Sequence, residues 1–408
     1  MRILFISTFG DTRGAAIAAG RMRKALINGG HSVDLLILYG NEGKDTFLFT
    51  PGWTDFLKYK WIQLLEKSKF YFYKRTDKSY LFPIDNIGYT NIEKQIKNRY
   101  DIIHLHWINS FVDIKSLIKL SELSDHLVWT LHDAWPITGG CHIILNCTRF
   151  TQECGFCPQL SSSKLNDITR KSLNSKIDEF LKISNIAFTV PSSWMLKQFQ
   201  NQKLLSSKPV YLIPNTIDIA VFYKKENNQA EKHNSKKKII GYYSCGEVKY
   251  KGLNNFLEII NRLFRDEDDL YEFEVILIGS DYRIDEIPFK TKYLGELKSE
   301  NELSEFYNSC DVFISASEEE SFGQTALESL LCGTPVVAFD NTGIRDFLIH
   351  KKNGYLSKYL DTEDLYRGLV FVLSNPLAFD PSEIGNIFKY ETVSRKLINL
   401  YKTLTTVN

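Results

Sequence analysis

MRILFISTFGDTRGAAIAAGRMRKALINGGHSVDLLILYG, residues 1–40, decides the fold. Ile3–Ile6 is a short apolar run followed by the polar pair Ser7-Thr8 and a loop with Gly10 and Gly14. Ala15–Ile27 has helical composition, Gly29 and Gly30 stop it, and Val33–Leu38 is a second apolar run. Strand, loop, helix, strand in this order is a βαβ unit, which requires a parallel pair and a right-handed crossover.

The same punctuation continues. Asp101–Leu105, Leu127–Leu131, Ile186–Val190 and Val210–Ile213 read as strands, the last ended by Pro214. Residues 223–238, YKKENNQAEKHNSKKK, are polar and dense in charge, which suits a linker or surface loop. The alternation then restarts. Ile239–Tyr243, Phe273–Ile278, Val312–Ser315 and Val336–Phe339 read as strands, with helical patterns over Leu253–Phe264 and Gln324–Leu331. The reading predicts an α/β protein of two facing, Rossmann-like, doubly wound domains. Their expected extents are 1–213 and 239–385, joined by a linker at 214–238. A C-terminal helix over 386–408, with its apolar spacing from Ile387 to Leu404, is expected to pack back towards the N-terminal domain.

Composition narrows the function. Across 408 residues, 50 Lys plus Arg face 49 Asp plus Glu, a net charge of +1, which argues against a protein that coats nucleic acid. Apolar residues at 43% and charged residues at 24% fit a globular chain. No apolar run reaches the length of a membrane span, and the first is too short for a signal-peptide core. The expected location is the cytoplasm, either free or peripheral on the inner face of the membrane.

The chemistry concentrates in Glu318–Ala338, EEESFGQTALESLLCGTPVVA. Glu320 lies in a loop with Gly323, and Glu328 follows eight residues later within the next helix. A loop entering a helix N-terminus presents N–H groups to an anion, and neighbouring carboxylates accept hydrogen bonds from sugar hydroxyls. The plain alternative is a surface helix with ordinary glutamates. Gly323, Gly333 and Pro335 fit the strand–loop–helix–strand context better.

These residues resemble the Glu-x7-Glu motif of the retaining glycosyltransferases of family 4, which have the two-domain GT-B fold with the active site in the inter-domain cleft. Lys251-Gly252 matches the basic position for the donor diphosphate; where the family carries an Arg just before it, this chain has Cys245 and Gly246, with Lys249 nearby. Pro214-Asn215-Thr216-Ile217-Asp218 with Phe222 resembles the domain-joining segment. Asp101–His106 resembles the strand ending in a cleft histidine. Thr130–Pro136 and Thr138–His142 resemble the colanic-acid and capsule branch. In place of the family's later Glu stands Asp346.

The resemblance implies transfer of a sugar from a nucleotide-sugar to a surface-polysaccharide precursor (capsule, O-antigen or exopolysaccharide), with a lipid-linked or oligosaccharide acceptor and no cofactor needed for catalysis. It gives Glu328 the ribose hydroxyls and Glu320 the hydroxyls of the transferred sugar. Lys251 neutralises the leaving diphosphate, helped by Lys249 and the N–H groups of Phe322, Gly323 and Gln324. Gly14 permits close backbone approach to the diphosphate or acceptor, its plain alternative being a turn glycine. His106, at the carboxyl edge of a strand, either contacts the sugar or acceptor or is a satisfied core histidine. His132 and Asp133 stand similarly, Asp133 alternatively as a cap. No Ser-His-Asp triad or nucleophile elbow is present. Retention therefore comes from same-face attack, as the resemblance implies, or from a carboxylate nucleophile. Two other readings are an epimerase-like nucleotide-sugar-modifying enzyme and a non-catalytic nucleotide-sugar or glycan binder.

Two segments stand apart. Cys141, Cys147, Cys154 and Cys157 fall within 17 residues. They suit a structural zinc shell, free or redox-active thiols, or disulfides, and a reducing compartment favours metal; His142 is a spare ligand. Residues 53–78 hold seven basic residues, three acidic and eight aromatic. They either dock on an anionic membrane surface or form a solvated helical face with buried aromatics.

Overall fold

The computed structural model describes all residues other than 11–12, 77–81, 85–87, 226–235, 247, 267–270, 280–282, 341 and 407–408, and the side chain of residue 72. Much of the expected linker, residues 226–235, and the last two positions of the aromatic basic segment lie outside the described residues.

The chain forms two units, Met1–Thr216 together with Tyr390–Asn408, and Ile217–Lys389. In unit 1 the elements run β1 (Arg2–Phe9), α1 (Gly14–Asn28), β2 (Ser32–Tyr39), β3 (Thr46–Leu48), α2 (Trp53–Lys69), β4 (Tyr100–Leu105), α3 (Ser116–Glu122), β5 (Ser124–Thr130), α4 (Ile168–Lys182), β6 (Ile186–Val190), α5 (Ser193–Asn201) and β7 (Val210–Leu212). Its sheet has the order β3-β2-β1-β4-β5-β6-β7, every neighbouring pair parallel. Unit 2 contains β8 (Lys237–Ser244), α6 (Leu253–Asp266), β9 (Glu272–Gly279), β10 (Lys290–Tyr293), α7 (Glu300–Ser309), β11 (Val312–Ser315), α8 (Gln324–Leu331), β12 (Val336–Asp340), β13 (Gly354–Lys358), α9 (Thr362–Ser374) and α10 (Pro381–Phe388). Its sheet, also parallel, has the order β10-β9-β8-β11-β12-β13. The fold is the doubly wound α/β architecture expected, twice over.

Both faces of each sheet are covered, which is why the central strands are apolar throughout. In unit 1, Leu4, Ile6, Ile103 and Leu105 belong to one core, and Ile3, Phe5 and Ile102 to the core on the other face. In unit 2, α6 places Phe256, Ile259, Ile260 and Leu263 on one side of the sheet, at helical spacing. Helix α8 buries Ala326, Leu327, Leu330 and Leu331 on the other.

The C-terminal region differs from the single helix expected from Ile387. Residues 381–388 end as α10, Lys389 is extended (φ −63°, ψ 157°), and α11 (Tyr390–Thr406) begins afresh. The break is held by pairing of Ile217 with Lys389, whose neighbour Phe388 accepts a hydrogen bond from the Ile217 N–H at 3.0 Å. Helix α11 packs on α1 within unit 1 and buries Val393, Leu397, Ile398, Leu400, Tyr401 and Leu404.

Candidate functional site

In unit 2 the strand order reverses between β8 and β11, the position where open parallel sheets leave a crevice at their carboxyl edge. Two loops meet there. Lys249–Lys251 form one tight turn after β8, closed by Gly252 at φ +79°. A Cβ at Gly252 would stand 1.8 Å from the Ala316 carbonyl oxygen, so only glycine lets this turn lie on the loop after β11. The Glu318 N–H donates to the Tyr250 carbonyl at 2.7 Å, and Asn255 Nδ2 donates to the Ala316 carbonyl at 3.3 Å.

This stitching puts Lys251 Nζ 2.6 Å from Glu320 Oε1. Burial by itself pushes the Lys251 ammonium down; the Glu320 carboxylate, Tyr250 and Cys245 outweigh it and hold the ammonium above its ordinary value. The lysine therefore keeps its charge at any physiological pH. Lys249 is exposed beside it.

The Glu320 carbonyl accepts from the Gly343 N–H at 2.8 Å, which brings the turn carrying Asp346 against the same loop. Gly323 caps α8 at φ +90°, where a Cβ would come within 2.4 Å of Ile344. Phe322 is buried against Phe347 and Phe388, so it offers its backbone rather than its ring. Gln324 opens the helix. Glu328, in the second turn of α8, is 4% exposed and accepts the Tyr307 phenol at 3.0 Å. The structure thus gathers Lys251, Glu320, Phe322, Gly323, Gln324 and Glu328 around one loop–helix junction. Tyr307, on α7, and the buried Glu319 escaped the reading of the sequence. Tyr307 has the spacing of an ordinary core residue, and Glu319 is one of three adjacent glutamates.

Unit 1 has its own reversal, between β1 and β4. Gly14 follows β1 as the first residue of α1, next to Arg13, whose guanidinium lies 4.5 Å over the Phe9 ring. His106 follows β4 and is 1% exposed. Its Nδ1 lies 3.0 Å from His132 Nε2, and its Nε2 is buried with no hydrogen-bond partner among the described residues. His104 and His132 stack on its two sides, at 4.5 and 5.3 Å between ring centroids. Burial lowers all three histidines, His104 to about 3 and His132 to about 4, so they stand as neutral rings. His104 Nδ1 meets the Tyr401 hydroxyl at 2.5 Å, and its Nε2 meets Thr130 at 2.7 Å.

Asp133 organises the next layer. It accepts from Trp107 Nε1 at 2.8 Å and the Trp135 N–H at 2.9 Å, and pairs with His142 Nδ1 at 2.6 Å. Burial would raise its carboxyl, but His142 and these donors outweigh it and hold it low. His142 Nε2 is engaged by Asn109 at 3.2 Å, so both its ring nitrogens are taken and it is no spare metal ligand. Arg13, Trp107 and Asn109 were not legible as site residues, since they come together only through the fold.

The four cysteines also lie in unit 1 and line one small cavity. Among the described residues no three His, Cys, Asp or Glu side chains already stand in a metal-ligating arrangement. In segment 53–78 the structure leaves Trp53, Phe56, Leu57, Trp61, Leu64 and Leu65 exposed on α2, and buries only Tyr59 of that helix. Among the described residues no helix is long and apolar enough to cross a membrane.

Comparison with known proteins agrees with this architecture. Residues 12–221 match the family model of Glycosyltransferase Family 4, and residues 223–386 that of glycosyl transferases group 1. The N-acetyl-alpha-D-glucosaminyl L-malate synthase of Bacillus anthracis is 24% identical over 57% of this chain and 62% of its own. A glycosyl transferase named for colanic acid biosynthesis, WcaC of Escherichia coli K12, is 33% identical over 15% of this chain and 16% of its own. In both, the match spans less than two thirds of the relative's length. Anabaena HepE, solved in complex with UDP and glucose, superposes with a TM-score of 0.61 at 16% identity, covering 99% of this chain and all of that one, a likeness of fold. Since the model of Glycosyltransferase Family 4 spans just over half of the sequence and each of the two units is a doubly wound α/β domain, the chain belongs to glycosyltransferase family 4.

Proposed function

We propose that this chain transfers a sugar, with retention of its anomeric configuration, from a nucleoside-diphosphate sugar to a surface-polysaccharide precursor of the colanic-acid or capsule type. The carrying observation is the Lys251–Glu320 pair at the reversal of the unit 2 sheet, with Glu328 in the second turn of the adjoining helix. An obligate cation next to a helix N-terminus stabilises the charge that develops on a departing diphosphate. Lys249 and the N–H groups of Phe322, Gly323 and Gln324 add to that stabilisation. Glu328, fixed by Tyr307, accepts the ribose hydroxyls, and Glu320 those of the transferred sugar.

On the acceptor side, Gly14 allows close backbone approach and His106 offers its bare Nε2 to the sugar or acceptor. The acceptor oxygen attacks the face that the diphosphate leaves, and a phosphate oxygen takes its proton. Both family models are of glycosyl transferases, which favours neither the epimerase-like reading nor the non-catalytic one. The exposed apolar residues of α2, interspersed with Lys58, Lys60, Lys67 and Lys69, support docking on an anionic membrane that carries a lipid-linked acceptor.

The test is a thermal-shift panel of nucleotides and nucleotide-sugars, with UDP-glucose first because HepE is similar in fold. A binder stabilises the folded chain by RT ln(1 + [L]/Kd). The best donor is then assayed with Glu320→Gln and Glu328→Gln, each expected to lose on the order of 100-fold or more in turnover. Unchanged turnover in both variants, or stabilisation by no nucleotide, would refute the assignment.

A further inference from the structure

The four cysteines take no part in the transfer chemistry, yet they converge. Cys141, Cys147, Cys154 and Cys157 all line one cavity of about 20 Å³ in unit 1. That is room for a single water or ion. Much of the remaining wall is Ile144, Phe150 and Pro158, so a water would find few of the polar partners it needs.

Backbone donors are aimed at the sulfurs. The N–H groups of Arg149 and Phe150 hydrogen-bond to Cys147, those of Gln159 and Leu160 to Cys157, and that of Gly139 to Cys154. The first two sets repeat one geometry, in which a tight turn after the cysteine folds its second and third N–H groups back onto the sulfur. These turns are Arg149–Thr151 and Pro158–Leu160. N–H donors favour a thiolate over a thiol.

Two basic side chains stand beside the cavity. Lys176 of α4 is fully buried, with its ammonium 2.6 Å from the Trp135 carbonyl and 4.2 Å over the Trp135 ring. Among the described residues it has no carboxylate within ion-pair distance, and Asp133 is committed to His142, Trp107 and the Trp135 N–H. Arg149 lines the cavity itself. A buried ammonium among neutral thiols has lost its hydration without gaining a counter-ion.

We propose that Cys141, Cys147, Cys154 and Cys157 bind one zinc ion as a closed tetrathiolate, whose double negative charge Lys176 and Arg149 offset. Binding releases four thiol protons for each Zn²⁺ taken up, and no electron is transferred. It also exchanges the hydrogen bond between the Cys141 and Cys157 thiols for two metal–sulfur bonds, drawing the four side chains inward. Four sulfurs complete the coordination, so the ion is structural. Its effect reaches the histidine layer through short links. His142 adjoins Cys141 in sequence, the Cys157 N–H donates to Asp167 at 3.0 Å, and Asp167 caps α4, the helix that carries Lys176.

The inference stands apart from the transfer reading, because its test needs no donor. The full chain is purified in reductant without chelator, and its zinc is measured by elemental analysis and native mass spectrometry. The expected result is about one zinc per chain, released in step with thiol modification, and thiolate-to-metal absorption after cobalt substitution. Lys176→Met is expected to keep the ion but bind it about tenfold or more weakly in competition with a chelating dye. Cys154→Ser should lose it, and if that variant fails to fold, the wild-type stoichiometry still decides. A reduced chain that takes up no zinc when incubated with it would overturn the proposal. So would a Cys141–Cys157 disulfide in the freshly purified chain, or bound zinc that leaves all four thiols reactive.

Discussion

Tyr307 shows what a single hydroxyl does in this site. Its hydroxyl donates to Glu328, a carboxylate with 4% exposure, and it shares the same apolar surroundings. Tyr307→Phe leaves that carboxylate one hydrogen bond short, at an expected cost of about 1–3 kcal/mol, measured by urea denaturation. Donor affinity should fall with it, and an unaltered affinity would count against the role given to Glu328. The stacked histidines make a second, pH-dependent point. His104 and His132 are lowered by burial to about 3 and about 4 from an ordinary 6.5, and His106 is lowered too. Below about pH 6.5 the unfolded chain binds more protons than the folded one, so stability is complete above that pH and is lost as pH falls towards 4. The melting temperature is expected to drop between pH 6.5 and 4.5, with a shallower slope in His104→Gln; parallel slopes would sink the account. At this scale Glu320 and Glu328 were legible because they stand eight residues apart in one loop–helix segment, and Lys251, 69 residues from Glu320, only through the resemblance carried by Lys251-Gly252. The sequence did not show Tyr307, which lies 21 residues from Glu328 and reads as a core aromatic.

Helix α2 leaves most of its large apolar side chains in solvent, interspersed with Lys58, Lys60, Lys67 and Lys69, and buries only Tyr59. Trp53 is 75% exposed and Trp61 62%. The aromatic run after it divides, with Phe70 packed on a small core near Phe82 while Tyr71 stays exposed. An interfacial helix buries such side chains in the headgroup region and adds roughly 1 kcal/mol per nearby lysine on an anionic surface. Vesicles containing phosphatidylserine are expected to float the wild-type chain, and to float it less after Trp61→Ser with Leu64→Ser or after Lys58, Lys60, Lys67 and Lys69 are changed to Glu. Equal flotation by all three proteins would refute docking. Composition identified this segment but not the direction of its face, because a helix of mixed polarity can turn either way until its neighbours are known. The strands missed in the sequence are alike: β3, β10 and β13 lie at or near sheet edges, and β10 reads Lys-Thr-Lys-Tyr. An edge strand need not carry the continuous apolar run that marked the central ones.

At the scale of the whole molecule, two units with separate cores should respond separately. A nucleotide-sugar is expected to raise the melting of unit 2, which holds Lys251, Glu320 and Glu328, more than that of unit 1 in calorimetry. Deleting residues 390–408 removes six side chains from the core that contains Ile3, Phe5 and Ile102. At about 1.5–3 kcal/mol each, these approach a typical domain's entire stability of about 5–15 kcal/mol. Unit 1 is expected to lose its cooperative transition in that truncation while unit 2 keeps its own, and a single unchanged transition would contradict the division.

The same arrangement sets an order of assembly during translation. Tyr401 reaches His104 across 297 positions of sequence. While the ribosome is still making unit 2, the histidine layer of unit 1 lacks its lid, and the surface that α11 will cover stays open. Unit 2 can reach its native state first, as a segment whose contacts are all in hand. The first half of the chain must wait, exposed to chaperones and proteases, until the last helix emerges and closes it.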